Sequence, residues 1–205
     1  MPWWDRKTRM LAGKARYRIE SDTNQTLAEK LLWGAACGGD PEIMRMALDR
    51  IDWVRDDPRW FHILEQPLRI WSHGVAGEDW DRSAYLTCFR LLLDRCDPNL
   101  RGREGFGLTI MHSVAGSREH VTPEERTAFA EMLLDAGAKL DIRDHLLKST
   151  PLGWACRWGR LELVKLFLAR GADPVEAGAE PWATPKAWAA SKDHQEILDL
   201  LRAAG

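Results

Sequence analysis

Apolar residues recur along the chain with helical spacing, in short segments separated by polar residues and glycines. In the segment 161–168, leucine, valine and phenylalanine fill six of the eight positions, so they cover more than one stripe of a helix. A helix that is apolar on more than one stripe packs against neighbours on several sides. Gly137 and Gly171 follow two such segments, at the place where a left-handed residue commonly ends a helix. The pattern therefore predicts helices that other helices bury.

Candidate helix starts combine a capping residue with proline. Thr150-Pro151 and Thr184-Pro185 place a hydroxyl before a residue that has no N–H to lose in the first turn. Asp40-Pro41 and Asp57-Pro58 offer the same start with a carboxylate. These starts and the apolar segments together predict pairs of helices joined by turns and loops.

The helix-pair pattern returns with a fixed period. Thr150 and Thr184 are 34 residues apart, and so are Gly137 and Gly171. Two anchors with one period indicate an internal repeat. Because a single helix pair cannot bury its own apolar faces, the repeats are expected to stack.

The segment from Ser149 to Asp173, STPLGWACRWGRLELVKLFLARGAD, resembles the ankyrin repeat in its T-P-L start, its central glycine and its terminal G-A-D. Residues 107–115, with a histidine at 112, are similar to the same start. The resemblance implies an all-α, ankyrin-repeat solenoid of four to five stacked helix pairs. Its units are expected at approximately 27–55, 56–100, 105–143, 147–177 and 180–205, after a basic N-terminal arm or capping helix at 1–26.

Two insertions depart from the family pattern, because they lengthen the junction between the two helices of a unit. They are residues 71–81 in the second unit and 116–121 in the third. Loops of that length in a compact domain often have a function. In the family's geometry, stacking of the units would place both insertions side by side at one edge of the solenoid. They would lie near the end of the first helix of the fourth unit. The predicted partner-binding residues are aromatic and basic: Trp71, His73, Trp80, Arg118, His120, Arg157 and Trp158.

Tryptophan is the unusual feature of the composition, with eleven residues against five Phe and two Tyr. Its large apolar ring and single N–H favour it in cores and also at binding surfaces. Trp154 and Trp188 share one repeat position, and we expect them to be mostly buried. Trp158 follows Trp154 by four residues, so the sequence leaves open whether it joins the core or is exposed.

The overall charge limits the kinds of partner that the chain is expected to bind. The chain has 205 residues with 29 Lys+Arg and 31 Asp+Glu, a formal net charge of −2 and a pI near 6.3. This balance argues against a nucleic-acid binder that relies on basicity, and no apolar run approaches the roughly 18–20 residues that span a bilayer. Four cysteines without a CxxC pair suggest neither a disulfide scaffold nor a zinc site. We expect a cytoplasmic monomer that binds another protein, with no specific nucleic acid and no membrane span.

The sequence offers little catalytic chemistry. It contains no HExxH spacing, no phosphate-binding glycine loop after a strand and no G-x-S-x-G motif. The family resemblance implies that His112 is a structural hydrogen-bonding residue. We therefore predict no catalytic residue, no cofactor and no metal.

The leading hypothesis is a non-enzymatic interaction module or adaptor that binds a macromolecular partner through its concave face and inserted loops. One alternative is an enzyme, or enzyme subunit, with a pocket under the insertions where carboxylates or His73 act as acid and base. Another is recruitment to a membrane or an acidic partner through the basic N-terminal arm.

Overall fold

The structure, a computed structural model, describes residues 26–69, 82–102, 105–117 and 121–205. These residues form ten α-helices and one short 3-10 helix, and they contain no strand beyond a single bridge between Arg101 and Thr109. The predicted all-α class is therefore confirmed. The chain divides into two compact units, Met1–Asp97 and Pro98–Gly205, which we call unit 1 and unit 2.

The described residues of unit 1 form two helix pairs. The first pair is α1 (Leu27–Gly38) with α2 (Pro41–Leu48), and the second is α3 (Arg59–Leu64), followed by a 3-10 turn at Pro67–Arg69, with α4 (Arg82–Leu93). Residues 70–81, which include the longer insertion, lie outside the described residues.

Local chemistry explains where the helices of unit 1 begin. The Asp40 carboxylate accepts the N–H groups of Glu42 and Ile43, each at 3.1 Å, so the predicted Asp-Pro start of α2 is confirmed. Between α1 and α2, Gly39 adopts a φ of +63°. A Cβ at this position would lie 2.9 Å from the ring of Tyr85, so both the turn and the packing require glycine.

The core of unit 1 is built from aromatic and aliphatic side chains. The largest fully buried ones are Trp60, Tyr85, Phe89, Leu32, Met44, Leu64 and Leu92. The Trp60 indole N–H donates to the carbonyl oxygen of Val54 at 3.0 Å, so the ring is buried with its polar atom satisfied.

Unit 2 contains three helix pairs. They are α5 (Ile110–Ala115) with α6 (Pro123–Asp135), α7 (Pro151–Arg157) with α8 (Leu161–Ala169), and α9 (Pro185–Ser191) with α10 (Gln195–Ala204). The first helices pack side by side with α7 in the middle, and the second helices form a parallel layer with α8 in the middle. The core lies between these two layers and includes Ile110, Met111, Phe129, Leu133 and Phe167.

The predicted helix starts and ends are confirmed in unit 2. The hydroxyl of Thr150 accepts the N–H of Gly153, and the hydroxyl of Thr184 accepts that of Ala187. In the tight turn between α7 and α8, Gly159 has a φ of +64°, and a Cβ there would lie 2.6 Å from the His194 ring. The left-handed residue of this turn thus lies directly against the next repeat.

Candidate functional site

A buried histidine links the first helices of two successive repeats in unit 2. His112 Nε2 lies 3.1 Å from the carbonyl oxygen of Ser149, and the N–H of Thr109 donates to His112 Nδ1 at 3.1 Å. Because the carbonyl can only accept, the ring carries its proton on Nε2. Burial lowers the pKa of His112 to about 4, so the ring stays neutral at pH 7. The hydrogen-bonding role implied for this residue by its motif is confirmed.

The loop before α7 is held by two further buried polar side chains. Asp144 accepts the N–H groups of Leu146, Leu147 and Ser149, and also the indole N–H of Trp154 at 3.0 Å. The hydroxyl of Ser149 in turn donates to the Ala183 carbonyl oxygen at 2.9 Å. These bonds fix the loop on one side to its own helix and on the other to the following repeat.

Trp154 and Trp188 are each partly buried, with the larger part of the residue covered, as expected. Their indole N–H groups bond to the loop, Trp154 to Asp144 and Trp188 to the Ser149 hydroxyl at 2.5 Å. Because each N–H is bound to a loop beside its helix, the ring cannot turn fully into the core.

Four side chains of unit 2 form an aromatic and cationic group, which we call the tryptophan cluster: Arg157, Trp158, Trp182 and Trp188. The guanidinium carbon of Arg157 lies 4.4 Å from the ring centroid of Trp188 and 6.0 Å from that of Trp158. Trp182 meets Trp188 edge-to-face, with ring centroids 6.1 Å apart. Trp158 is 48% exposed and Trp182 is 49% exposed.

Helix ends and a loop bring the tryptophan cluster together. Arg157 is the last residue of α7 and Trp158 is its C-cap. Trp188 lies in α9, and Trp182 lies in the loop just before it, where Ala183 N–H bonds to the Glu180 carbonyl oxygen at 2.8 Å. The exposed side of the cluster therefore combines two indole surfaces with one guanidinium group.

The structure describes only two residues of the predicted partner-binding set. It places Arg157 and Trp158 next to each other, and it shows that Trp158 is exposed. The other predicted residues, Trp71, His73, Trp80, Arg118 and His120, lie outside the described residues. Sequence reasoning missed Trp182 and Trp188 as parts of this surface. The available signal was the position of Trp182, two residues before a capping threonine and therefore in a loop.

The described ends of the shorter insertion are anchored by two arginines. Arg126 donates from Nε to the Ser117 hydroxyl and from Nη2 to the Val121 carbonyl oxygen, each at 2.7 Å. Arg160 Nη2 donates to the Ser117 carbonyl oxygen at 2.8 Å. Burial and the nearby charge of Arg160 lower the pKa of Arg126 to about 10, which still leaves it charged at pH 7.

A cavity of about 190 Å³ lies in unit 2, and its lining includes a buried carboxylate. Glu176 accepts a hydrogen bond from the Thr150 hydroxyl at 2.5 Å and forms an ion pair with Arg143 at 2.6 Å. Burial raises the pKa of Glu176. Arg143 lies in the loop before α7, and Thr150 is the N-cap of α7. Glu176, which follows α8, therefore links parts of two successive repeats.

Metal and thiol chemistry has little support in the described part of the chain. Within these residues, no group of three or more His, Cys, Asp or Glu side chains could hold a metal ion. All four cysteines are buried free thiols, and burial raises the pKa of Cys96 to about 12. Thiols with raised pKa values are poor nucleophiles.

None of the helices described is both long and apolar enough to cross a bilayer.

Comparison with known proteins identifies the repeat. A family model described as "Ankyrin repeats (3 copies)" matches residues 81–177. The human and mouse proteins named "Ankyrin repeat domain-containing protein 63" are each 35% identical to this chain over 79 residues. The matched segment covers 38% of this chain and 20% of each relative, so the chain spans about a fifth of the length of the curated relatives it matches.

Proposed function

Because the chain is an ankyrin repeat protein, as its T-P-L and G-A-D motifs predicted, we propose that it is a non-enzymatic module that binds another protein. Ankyrin repeats are generally protein–protein interaction modules and are typically non-enzymatic. The family does not name the partner, since one fold carries many functions.

The observation that carries the proposal is the tryptophan cluster. Trp158 and Trp182 are each about half exposed although they are among the largest apolar side chains. Tryptophan and arginine are the residues that most often dominate binding energy at interfaces. The cluster is formed by α7, α9 and the loop before α9, and the Ser149 hydroxyl at the start of α7 bonds to both Ala183 and Trp188.

The proposed binding face is the surface formed by the first helices and loops of unit 2. Such surfaces are the concave binding faces of repeat proteins. The proposal also keeps the five predicted residues of the insertions, Trp71, His73, Trp80, Arg118 and His120, as further contacts. We propose a monomer in the cytoplasm, where buried free thiols such as those of this chain stay reduced.

The test is an affinity capture from the native cells, followed by mass spectrometry, with three forms of the full chain. The wild type is compared with a Trp158→Ala/Trp182→Ala variant and with Met46→Ala, a control that truncates an exposed apolar residue of unit 1. We expect the wild type and the control to capture the same protein. The double variant is expected to capture at most about a tenth of that amount. Circular dichroism checks that all three are folded.

Two results would contradict the proposal in different ways. If the folded wild type enriches no protein over bare resin, the binding function fails. If the double variant captures the same protein as strongly as the wild type does, the partner binds elsewhere and the tryptophan cluster is not the site.

A further inference from the structure

Arg157 differs from the other arginines that the structure describes in unit 2 in how it is held. Arg143 is paired with Glu176, and Arg126 donates to Ser117 and Val121. The guanidinium of Arg157, in contrast, is stacked on Trp188 and makes no hydrogen bond or ion pair with any residue that the structure describes. Stacking holds the plane of the guanidinium, while its N–H groups have no partner among the described residues.

Stacking pre-orients a guanidinium of this kind for binding an anion. Its planar fork matches a carboxylate in a bidentate arrangement, and the aromatic face reduces the side-chain freedom that is lost on binding. The cluster supplies one cation, which suits a singly charged carboxylate, whereas phosphate recognition generally uses several arginines. The exposed indoles of Trp158 and Trp182 add apolar surface beside this charge.

We propose that the tryptophan cluster binds an acidic peptide segment of the partner protein. An Asp or Glu carboxylate of that segment pairs with the Arg157 guanidinium, and an adjacent apolar side chain packs on the indoles of Trp158 and Trp182. This inference rests on the proposed binding function, because it names the chemistry of the segment that the module would bind.

The experiment selects peptides from a random 12-residue library displayed on phage, with the full chain as bait. We expect the selected peptides to share an Asp or Glu next to an apolar residue. A selected peptide is then titrated against wild type and Arg157→Lys, which keeps the charge but loses the planar fork. We expect binding about ten-fold weaker for Arg157→Lys, and an equal loss when the acidic residue of the peptide is replaced by its amide.

The matched control is Arg170→Lys, since Arg170 is a partly exposed arginine of unit 2 that pairs with Asp135 away from the cluster. This variant is expected to bind the peptide as the wild type does. The inference is overturned if no peptide is selected, if the selected peptides share no acidic residue, or if Arg157→Lys binds as tightly as wild type. In each of these cases the capture of a native partner still decides the proposed function separately, because that experiment does not depend on the peptides.

Discussion

The two units build the same helix pairs from different buried residues. Nine polar or charged residues are buried in the described part of the chain, and eight of them belong to unit 2. The one in unit 1 is Gln66, which donates to the His62 carbonyl oxygen and accepts from the Cys37 thiol. Unit 1 is thus held mainly by apolar burial, and unit 2 by apolar burial together with a buried hydrogen-bond network.

The loops of unit 1 are joined by arginines that reach backbone carbonyls, a kind of bond that unit 2 also contains. Arg55 donates to the carbonyl oxygens of Asp94 and Cys96, and Arg95 donates to that of Ile51. The arginine side chain is long and flexible, so an arginine can reach such a carbonyl oxygen from several positions in the sequence. A buried Asp, Ser or His needs its partner at a fixed position, because an unpaired buried polar group is costly.

This difference fits the range of the family match, residues 81–177, which leaves most of unit 1 outside it. Polar residues with fixed partners recur at fixed sequence positions, and they form the recognisable motif. Apolar cores accept many combinations of side chains as long as volume and pattern are kept. Unit 1 can therefore keep the helix pairs while losing most of the motif.

The largest expected effect tests the apolar core of unit 1. Trp60→Ala removes a fully buried ring and its bond to Val54, and we expect it to lower the free energy of unfolding by about 3–5 kcal/mol. Denaturant unfolding measures the change, and amide hydrogen exchange shows whether unit 1 loses protection. Trp182→Ala, which truncates a half-exposed ring, is the control and is expected to change stability little. A loss below about 1 kcal/mol for Trp60→Ala would contradict the apolar account of unit 1.

The next effect tests the polar network of unit 2. Asp144→Ala leaves three backbone N–H groups and the Trp154 indole N–H without their acceptor, and we expect a loss of about 3 kcal/mol. Asp141→Ala, at an exposed position of the same loop, serves as the control. Equal stability of the two variants in thermal unfolding would show that the network does not hold the loop.

The pH dependence of unit 2 gives a third test. His112 has a pKa of about 4 in the folded protein against an ordinary value of 6.5, so the unfolded chain binds a proton there more readily. The contribution of the neutral ring is therefore complete above pH 6.5 and is lost as the pH falls to 4, by up to about 3 kcal/mol. Unfolding of wild type and His112→Gln is compared from pH 7.5 to 4. Parallel curves for the two proteins would rule out a buried neutral His112.

The smallest effect distinguishes two arginines of unit 1. Arg59 is half exposed and pairs with Asp57 and Glu29, so we expect Arg59→Ala to cost less than about 1 kcal/mol. Arg55→Ala removes two bonds between loops and is expected to cost about 1–2 kcal/mol. The melting temperatures of both variants measure the difference, and the reverse order would contradict the role of Arg55 in joining the loops.

The sequence determined the features that depend on neighbouring residues. Thr150 and Thr184 cap helices because each hydroxyl accepts an N–H three residues ahead, and Gly137 and Gly171 end helices because φ is positive there. The 34-residue spacing of these short-range signals was enough to identify the repeat and its all-α class. The partner-binding set could be predicted only as residue types on expected loops.

The tertiary structure alone decided which aromatic rings are exposed and which meet. Trp158 lies at the C-cap of α7 and is exposed, whereas its four-residue spacing from Trp154 is equally consistent with burial. Arg157 and Trp188 are 31 positions apart in sequence and stack only because α7 and α9 pack side by side. Contacts between repeats depend on the packing of whole helices, and a pattern of single residues does not contain that information.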